Sequence, residues 1–182
     1  LLQSNDLKLA IQPYCVGGPY GRLLDAEAEN LGDASVVAFE TEGLLDTSAA
    51  PAVLSYLFHR IADRLDGSPT MIIIDEGWLA LGDPAFSKQL AEWLVTLRKK
   101  NASVVFATQS LAQLEKSTIA PAIIESCPTR LLLPNDRAVE PQITAIYRRF
   151  GLNDRQIEIL ARATPKRDYY CQSRQGDRLF EL

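Results

Sequence analysis

The chain has 182 residues, of which 47% are hydrophobic and 23% charged, a balance that suits one domain with a core and argues against disorder. Nineteen basic residues against twenty-three acidic ones leave a net charge of -4, which argues against a generic basic nucleic-acid surface while leaving room for a local patch. No apolar run approaches the roughly 20 residues of a membrane span, and the opening residues do not read as a signal peptide.

The chain begins with Leu1 and its only methionine is Met71, so it reads as a piece of a longer protein. Residues 1–12 are mildly helical and end at Pro13; the run Gly17, Gly18, Pro19, Tyr20, Gly21 reads as a loop. Residues 36–39 are a short apolar run, expected as a buried strand. Val53, Leu54, Leu57, Phe58, Ile61 and Leu65 recur at helical spacing, and Gly67 to Pro69 stop that helix. Residues 71–74 follow as a strand with no polar alternation, which implies cover on both faces.

The pattern then repeats. Phe86, Leu90, Trp93, Leu94 and Leu97 mark a second amphipathic helix, and residues 103–107 a second buried strand. Residues 120–125 form a short helix, and Arg130 with Leu131 to Leu133 a third strand ended by Pro134. Ile143, Ile146, Tyr147 and Phe150 make a further helical stripe closed by Gly151, and Asn153 with Gln156 has the spacing of a capping box. Residues 168–180 read as a hairpin around Gln175-Gly176. Strands alternating with helices predict a parallel α/β sheet. Cys15, Cys127 and Cys171 are odd in number and far apart, which suits buried or incidental thiols in a reducing cytoplasm and no zinc site.

In such a sheet, ligands bind beyond the carboxyl ends of the strands, so the residues just after each apolar run carry the chemistry. After residues 71–74 come Asp75 and Glu76. Two acids at the mouth of an apolar strand are costly without a cation or hydrogen-bond donors. Four aliphatics followed by Asp-Glu form the Walker B pattern, in which the aspartate helps hold a Mg²⁺ shell and the glutamate polarises the attacking water. A plain acidic turn, with Glu76 capping a nearby group, is the alternative at this point. The next strand ends in Thr108-Gln109-Ser110. A glutamine amide both donates and accepts, so Gln109 can bind a terminal phosphate and a water; otherwise it caps the helix that starts at Ser110. Arg98, in the run Leu97-Arg98-Lys99-Lys100-Asn101, either complements a helix C-terminus or reaches a neighbouring subunit's nucleotide. Arg130 is read as structural, His59 as packed against the sheet, and Trp78 and Trp93 as core or interface anchors. None of the ten glycines is followed by lysine, so the Gly-Lys-Ser/Thr phosphate loop is missing from this sequence.

Residues 71–78, 97–101, 107–110 and 129–135, in that order, resemble the conjugal-transfer ATPases of bacterial type IV secretion systems, TrbE-like class. The loop at Gly17 to Gly21, the segment 56–60 and residues 150–156 are similar to the same family, so the resemblance runs from about Gly17 to about Arg162. It implies α/β architecture: a RecA-like P-loop NTPase motor of the FtsK/HerA type, here a partial domain lacking the Walker A strand. On that basis residues 1–34 are a helical and loop lead-in, 35–135 the sheet with the Walker B and sensor strands, and 136–182 a helical segment with the terminal hairpin. Asp75 is the implied metal residue, Asp75 and Glu76 the Walker B pair, Gln109 the sensor, and Arg98 an arginine acting across a subunit interface. ATP and Mg²⁺ are the implied cofactors of the full-length protein. A hexamer or dimer at the cytoplasmic face of the inner membrane is the implied assembly, working with other type IV secretion components in pilus assembly and transfer. The phosphate loop is expected upstream of Leu1, so the piece alone is expected to be inactive, and its sheet to be open where the Walker A strand belongs. Two rivals stand beside this reading. One is a non-catalytic docking module using residues 164–182. The other is a DNA-translocating motor touching phosphates through Arg148, Arg149, Lys166 and Arg167, which the net charge does not favour.

Overall fold

The computed structural model describes residues 3–28, 32, 34–41, 43–44, 47–77, 80–82 and 84–182, so Trp78 lies outside the described residues. Two compact units divide the chain, Leu1–Arg64 and Leu65–Leu182.

In the first unit, α1 (Asn5–Ile11) is capped by Ser4, and Pro13 turns its end into a 3-10 turn, Gln12–Tyr14. The glycine run then folds back tightly. Gly17 has φ of 88°, open to glycine at no steric cost, and a Cβ on Gly18 would lie 2.6 Å from the carbonyl oxygens of Gln12 and Pro13. Short α2 (Gly21–Leu24) follows. In α3 (Ala50–Asp63), the i, i+4 series Ala50, Leu54, Phe58 is buried. His59 sits one residue on, about 100° round the helix. It is exposed, with Nε2 3.4 Å from Asp63 Oδ2, which corrects the expectation that it packs against a sheet. Residues 36–39 are not a strand, and Val36 is 84% exposed. An apolar run supplies propensity, but a strand exists only through a paired neighbour, and this one has none among the described residues.

The second unit holds two sheets. β1 (Thr70–Ile74) and β2 (Ala102–Phe106) pair in parallel, from Thr70 opposite Ala102 to Ile74 opposite Phe106. The intervening α4 (Pro84–Thr96) buries Phe86, Leu90 and Trp93, the stripe seen in the sequence. It packs on α6 (Ala120–Ser126); α5 (Leu111–Lys116) touches α6 and α7 (Pro141–Arg149), and α7 touches α8 (Asp154–Arg162). β3 (Arg130–Leu132), β4 (Asp168–Ser173) and β5 (Gly176–Glu181) form a separate antiparallel sheet in that order. The third apolar strand therefore does not extend the parallel sheet as the alternation suggested. It pairs with the terminal hairpin, Leu131 facing Cys171.

The parallel pair is covered on one side only. Met71 (64%), Ile73 (66%) and Val105 (44%) are exposed on one face, while Ile72, Ile74, Val104 and Phe106 are half-buried on the other. The expectation of burial on both faces is thereby corrected: an unbroken aliphatic run marks a strand suited to two-sided cover, and the described residues supply one side. Neither strand pairs with a third among the described residues.

The helical region is tied by specific local chemistry. Gly151, at φ 86°, ends α7 in a Schellman motif: its N–H donates to Arg148 O at 2.9 Å, and Leu152 N–H donates to Tyr147 O at 3.1 Å. The capping box is present, with Gln156 N–H donating to Asn153 Oδ1 (3.0 Å) and Asn153 N–H donating to Gln156 Oε1 (2.7 Å). Gln156 Nε2 also donates to Asp177 Oδ2 at 2.7 Å, joining α8 to β5. Arg130 is structural, as read: its guanidinium donates to Ile124 O (2.9 Å) and Phe150 O (2.6 Å), carbonyls at the ends of α6 and α7. Of the thiols, Cys15 is exposed and Cys127 and Cys171 are half-buried; burial pushes the Cys127 thiol pKa up, partly offset by the nearby Arg130 charge.

Asn153→Ala removes one half of the capping box and should cost about 1 kcal/mol in urea unfolding. Leu160→Ala, at a side chain with no exposure, should cost about 2–5 kcal/mol. Equal costs for the two would show that the α7–α8 region is not packed around Leu160.

Candidate active site at the mouth of the parallel strands

Register brings the two strand exits together. Beyond the last paired residues, Ala107 N–H donates to Ile74 O at 2.9 Å and Gly77 N–H donates to Ala107 O at 3.1 Å. Residues 75–77 thus run beside 107–109. Gly77 is buried, and a Cβ there would collide with the Phe106 ring. The glycine directly after Asp-Glu was the signal for this close approach, and sequence reasoning passed over it.

The turn itself is unusual. Glu76 has φ of 48°, a left-handed conformation that costs a non-glycine residue about 1 kcal/mol or more. Asp75 Oδ1 accepts from Glu76 N–H at 2.9 Å. Gln109 Nε2 donates to Glu76 Oε1 at 2.5 Å. Both side chains are exposed, where such a bond contributes about 1 kcal/mol. Strained residues of this kind cluster at functional sites.

The rival role of Gln109, capping the helix that follows, is filled by another residue. Ser110 Oγ accepts from Gln113 N–H (3.3 Å) and caps α5, so Gln109 is not the cap. Thr108 Oγ1 accepts from Ser110 N–H at 3.2 Å. The Gln109 carboxamide is left for Glu76.

Arg98 is not brought to this cluster. It is exposed on the 3-10 helix Leu97–Lys100, which leads into the start of β2. Asn101, left-handed at φ 56°, closes that helix, and its carbonyl accepts from Thr70 N–H at 3.1 Å. Five-residue strands then separate Arg98 from the Glu76 end by roughly 16 Å.

Among the described residues, no group of three or more His, Cys, Asp or Glu side chains forms a metal cage. Asp75, at the end of β1, is a carboxylate of the kind that would suit a Mg²⁺ arriving with a nucleotide, because that ion usually takes one or two carboxylates and fills its shell with phosphates and water.

The chain matches the TraG P-loop domain family over residues 2–171. It is 49% identical to the conjugal transfer protein TrbE of Rhizobium radiobacter, covering 100% of this chain and 22% of that protein. It is 47% identical to a probable conjugal transfer protein of the TrbE kind from Sinorhizobium fredii, covering 100% of this chain and 28% of that protein. The type IV secretion system protein virB4 of Bartonella quintana is 33% identical over 85% of this chain, which spans 20% of that protein. Among solved structures, VirB4 of Thermoanaerobacter pseudethanolicus superposes with a TM-score of 0.55 over 72% of this chain and 35% of its own, at 17% identity, a likeness of fold. The chain belongs to the TraG P-loop domain family. Within it, the chain falls in the TrbE/VirB4 group of conjugal-transfer and type IV secretion proteins. It spans about a quarter of the length of the TrbE relatives it matches.

Gly77→Ala should push the Phe106 ring aside and destabilise the second unit by about 1–3 kcal/mol, read by thermal or urea unfolding. An unchanged melt would show that the strand exits are looser than described.

Proposed function

We propose that this chain is the part of a type IV secretion ATPase motor that carries the Walker B pair and the sensor glutamine. The observation that supports it is the 2.5 Å hydrogen bond from Gln109 to Glu76 at the exits of two register-matched parallel strands. In this reading Glu76 accepts a proton from the attacking water, and Gln109 contacts the terminal phosphate. Asp75 helps hold Mg²⁺; the ion, when bound, neutralises charge developing on the phosphates. Arg98, at the opposite strand end, serves the nucleotide of a neighbouring copy, so activity needs self-association as a hexamer or dimer. Turnover of ATP then powers pilus assembly and transfer, together with other secretion components, at the cytoplasmic face of the inner membrane. No helix among the described residues is long and apolar enough to cross a membrane.

The phosphate cradle is not among these residues, so the 182-residue chain alone should bind nucleotide poorly. The DNA-translocating alternative draws little support from the side chains it needs. Arg148 is paired with Asp154 at 2.8 Å, Arg149 with Glu115, and Arg167 with Glu181 at 2.6 Å, so a carboxylate already offsets the charge at each.

In the full-length protein, Glu76→Gln should lower kcat for ATP by about a hundredfold or more. Unchanged turnover would remove Glu76 from water activation. Millimolar Mg-ATP should leave the melt of the 182-residue chain unmoved, whereas a ligand at about 100 times its Kd would add about 2.7 kcal/mol. A clear upward shift would show that these residues cradle phosphate without the loop.

A further inference from the structure

The antiparallel sheet has two unlike faces. Side chains alternate along each strand, and residues paired across strands share a face. On one face Tyr170 is buried, Arg130 reaches the Phe150 carbonyl at the end of α7, and Asp177 accepts from Gln156 of α8. The other face carries the register-matched row Leu131, Cys171 and Arg178, with the pair Tyr169 and Phe180 beside it. The two rings stack with centroids 5.8 Å apart. Leu131 is 61% exposed, and Leu133, two residues on, is 62% exposed. The acids of the hairpin strands, Asp168, Asp177 and Glu181, all alternate onto the helix side with Tyr170. The open face therefore has no acid among the described residues. It has one guanidinium, Arg178, which is exposed and has no hydrogen bond or ion pair among the described residues. In a chain of net charge -4, an acid-free apolar face is the exception.

We propose that this face docks an acidic amphipathic helix of another protein. The helix lays its apolar stripe over Leu131, Leu133 and the Tyr169–Phe180 stack, and one of its carboxylates meets Arg178. Apolar side chains in a sheet face call for apolar cover. A cover that buried Arg178 without a partner would be costly, so it must also bring an acid, and a carboxylate matches the guanidinium fork. Other occupants fit less well. A second copy presenting the same face would set guanidinium against guanidinium. A nucleic acid would answer Arg178 but leave Leu131 and Leu133 against a charged backbone, and a single free guanidinium makes a poor phosphate surface. The docking alternative named residues 164–182; β4 and β5 fall within that stretch, and the structure adds Leu131 and Leu133 from the β3 side. The inference goes beyond the ATPase reading and does not depend on it.

Photo-crosslinking in cells that make the full-length protein tests it, with a benzophenone amino acid substituted for Leu131. Mass spectrometry should find the cross-link in another protein, on a segment with apolar residues at helical spacing and Asp or Glu beside them. Arg178→Glu should lower the yield about tenfold, and Arg178→Gln, which removes the charge without reversing it, by about threefold or more. Arg174→Glu, exposed in the hairpin turn, should leave the yield within about twofold. The melting temperature of the full-length protein should be the same in all three; if Arg178→Glu lowers it, Arg178→Gln decides. Absence of a cross-link overturns the proposal, and so do cross-links confined to the protein's own chain, to a second copy or to nucleic acid. A cross-linked segment without acids, or a yield indifferent to both Arg178 changes, overturns it equally.

Discussion

Everything at the candidate site depends on the parallel register of β1 and β2. Side chains alternate along a strand, so a slip of one residue would carry Gln109 to the other face and leave Glu76 without its partner. The register is pinned at both ends. At the start, Thr70 N–H donates to the carbonyl of left-handed Asn101, whose side chain in turn donates to Gly67 O at 3.1 Å. At the exit, the exchanges between Ile74, Ala107 and Gly77 continue the ladder past the last paired residues. Gly77 permits that exit because any larger residue would meet the Phe106 ring. The chemistry of Asp75, Glu76 and Gln109 is therefore a consequence of backbone pairing, and only secondarily of the side chains themselves.

Much of this was legible in the sequence because it is local. The aliphatic runs of β1 and β2, the stripe on α4, the Gly151 stop, the Asn153–Gln156 box and the hairpin at Gln175-Gly176 each follow from a few neighbouring residues. That Glu76 and Gln109 leave neighbouring strand ends was also legible, since each directly follows an apolar run; the bond between them was not. What failed was non-local. Whether Arg130 to Leu132 joins the parallel sheet or the terminal hairpin depends on which edge it meets, and its composition suits both. Cover on the second face of β1 depends on what packs there, and the Met71 side is open. Residues 36–39 have strand composition without a partner strand among the described residues. His59 was misplaced because one step along a helix turns a residue far from its buried neighbour.

The second unit divides its labour unevenly. The antiparallel sheet with α7 and α8 carries the capping box, the Schellman end, the Arg130 links and the fully buried Leu160. The parallel pair carries the acidic turn and the glutamine but presents bare Met71, Ile73 and Val105. Exposed apolar side chains set in one sheet face are the usual mark of a surface that meets something else. The site thus lies at the end of a strand pair with one open face, in a chain that spans 22% of its TrbE relative from Rhizobium radiobacter. Asp75, Glu76, Gln109 and the distant Arg98 are present in this sequence; a Gly-Lys-Ser/Thr phosphate loop is not.

The central claim is that Glu76 and Gln109 meet at one end of the strand pair while Arg98 stands at the other. Cross-linking tests it most directly. With the native cysteines replaced, a short bismaleimide should join Glu76→Cys to Gln109→Cys within the folded 182-residue chain and leave the pair Glu76→Cys with Arg98→Cys unlinked, as read by mass spectrometry. Equal linkage in both pairs, or linkage only to position 98, would contradict the account.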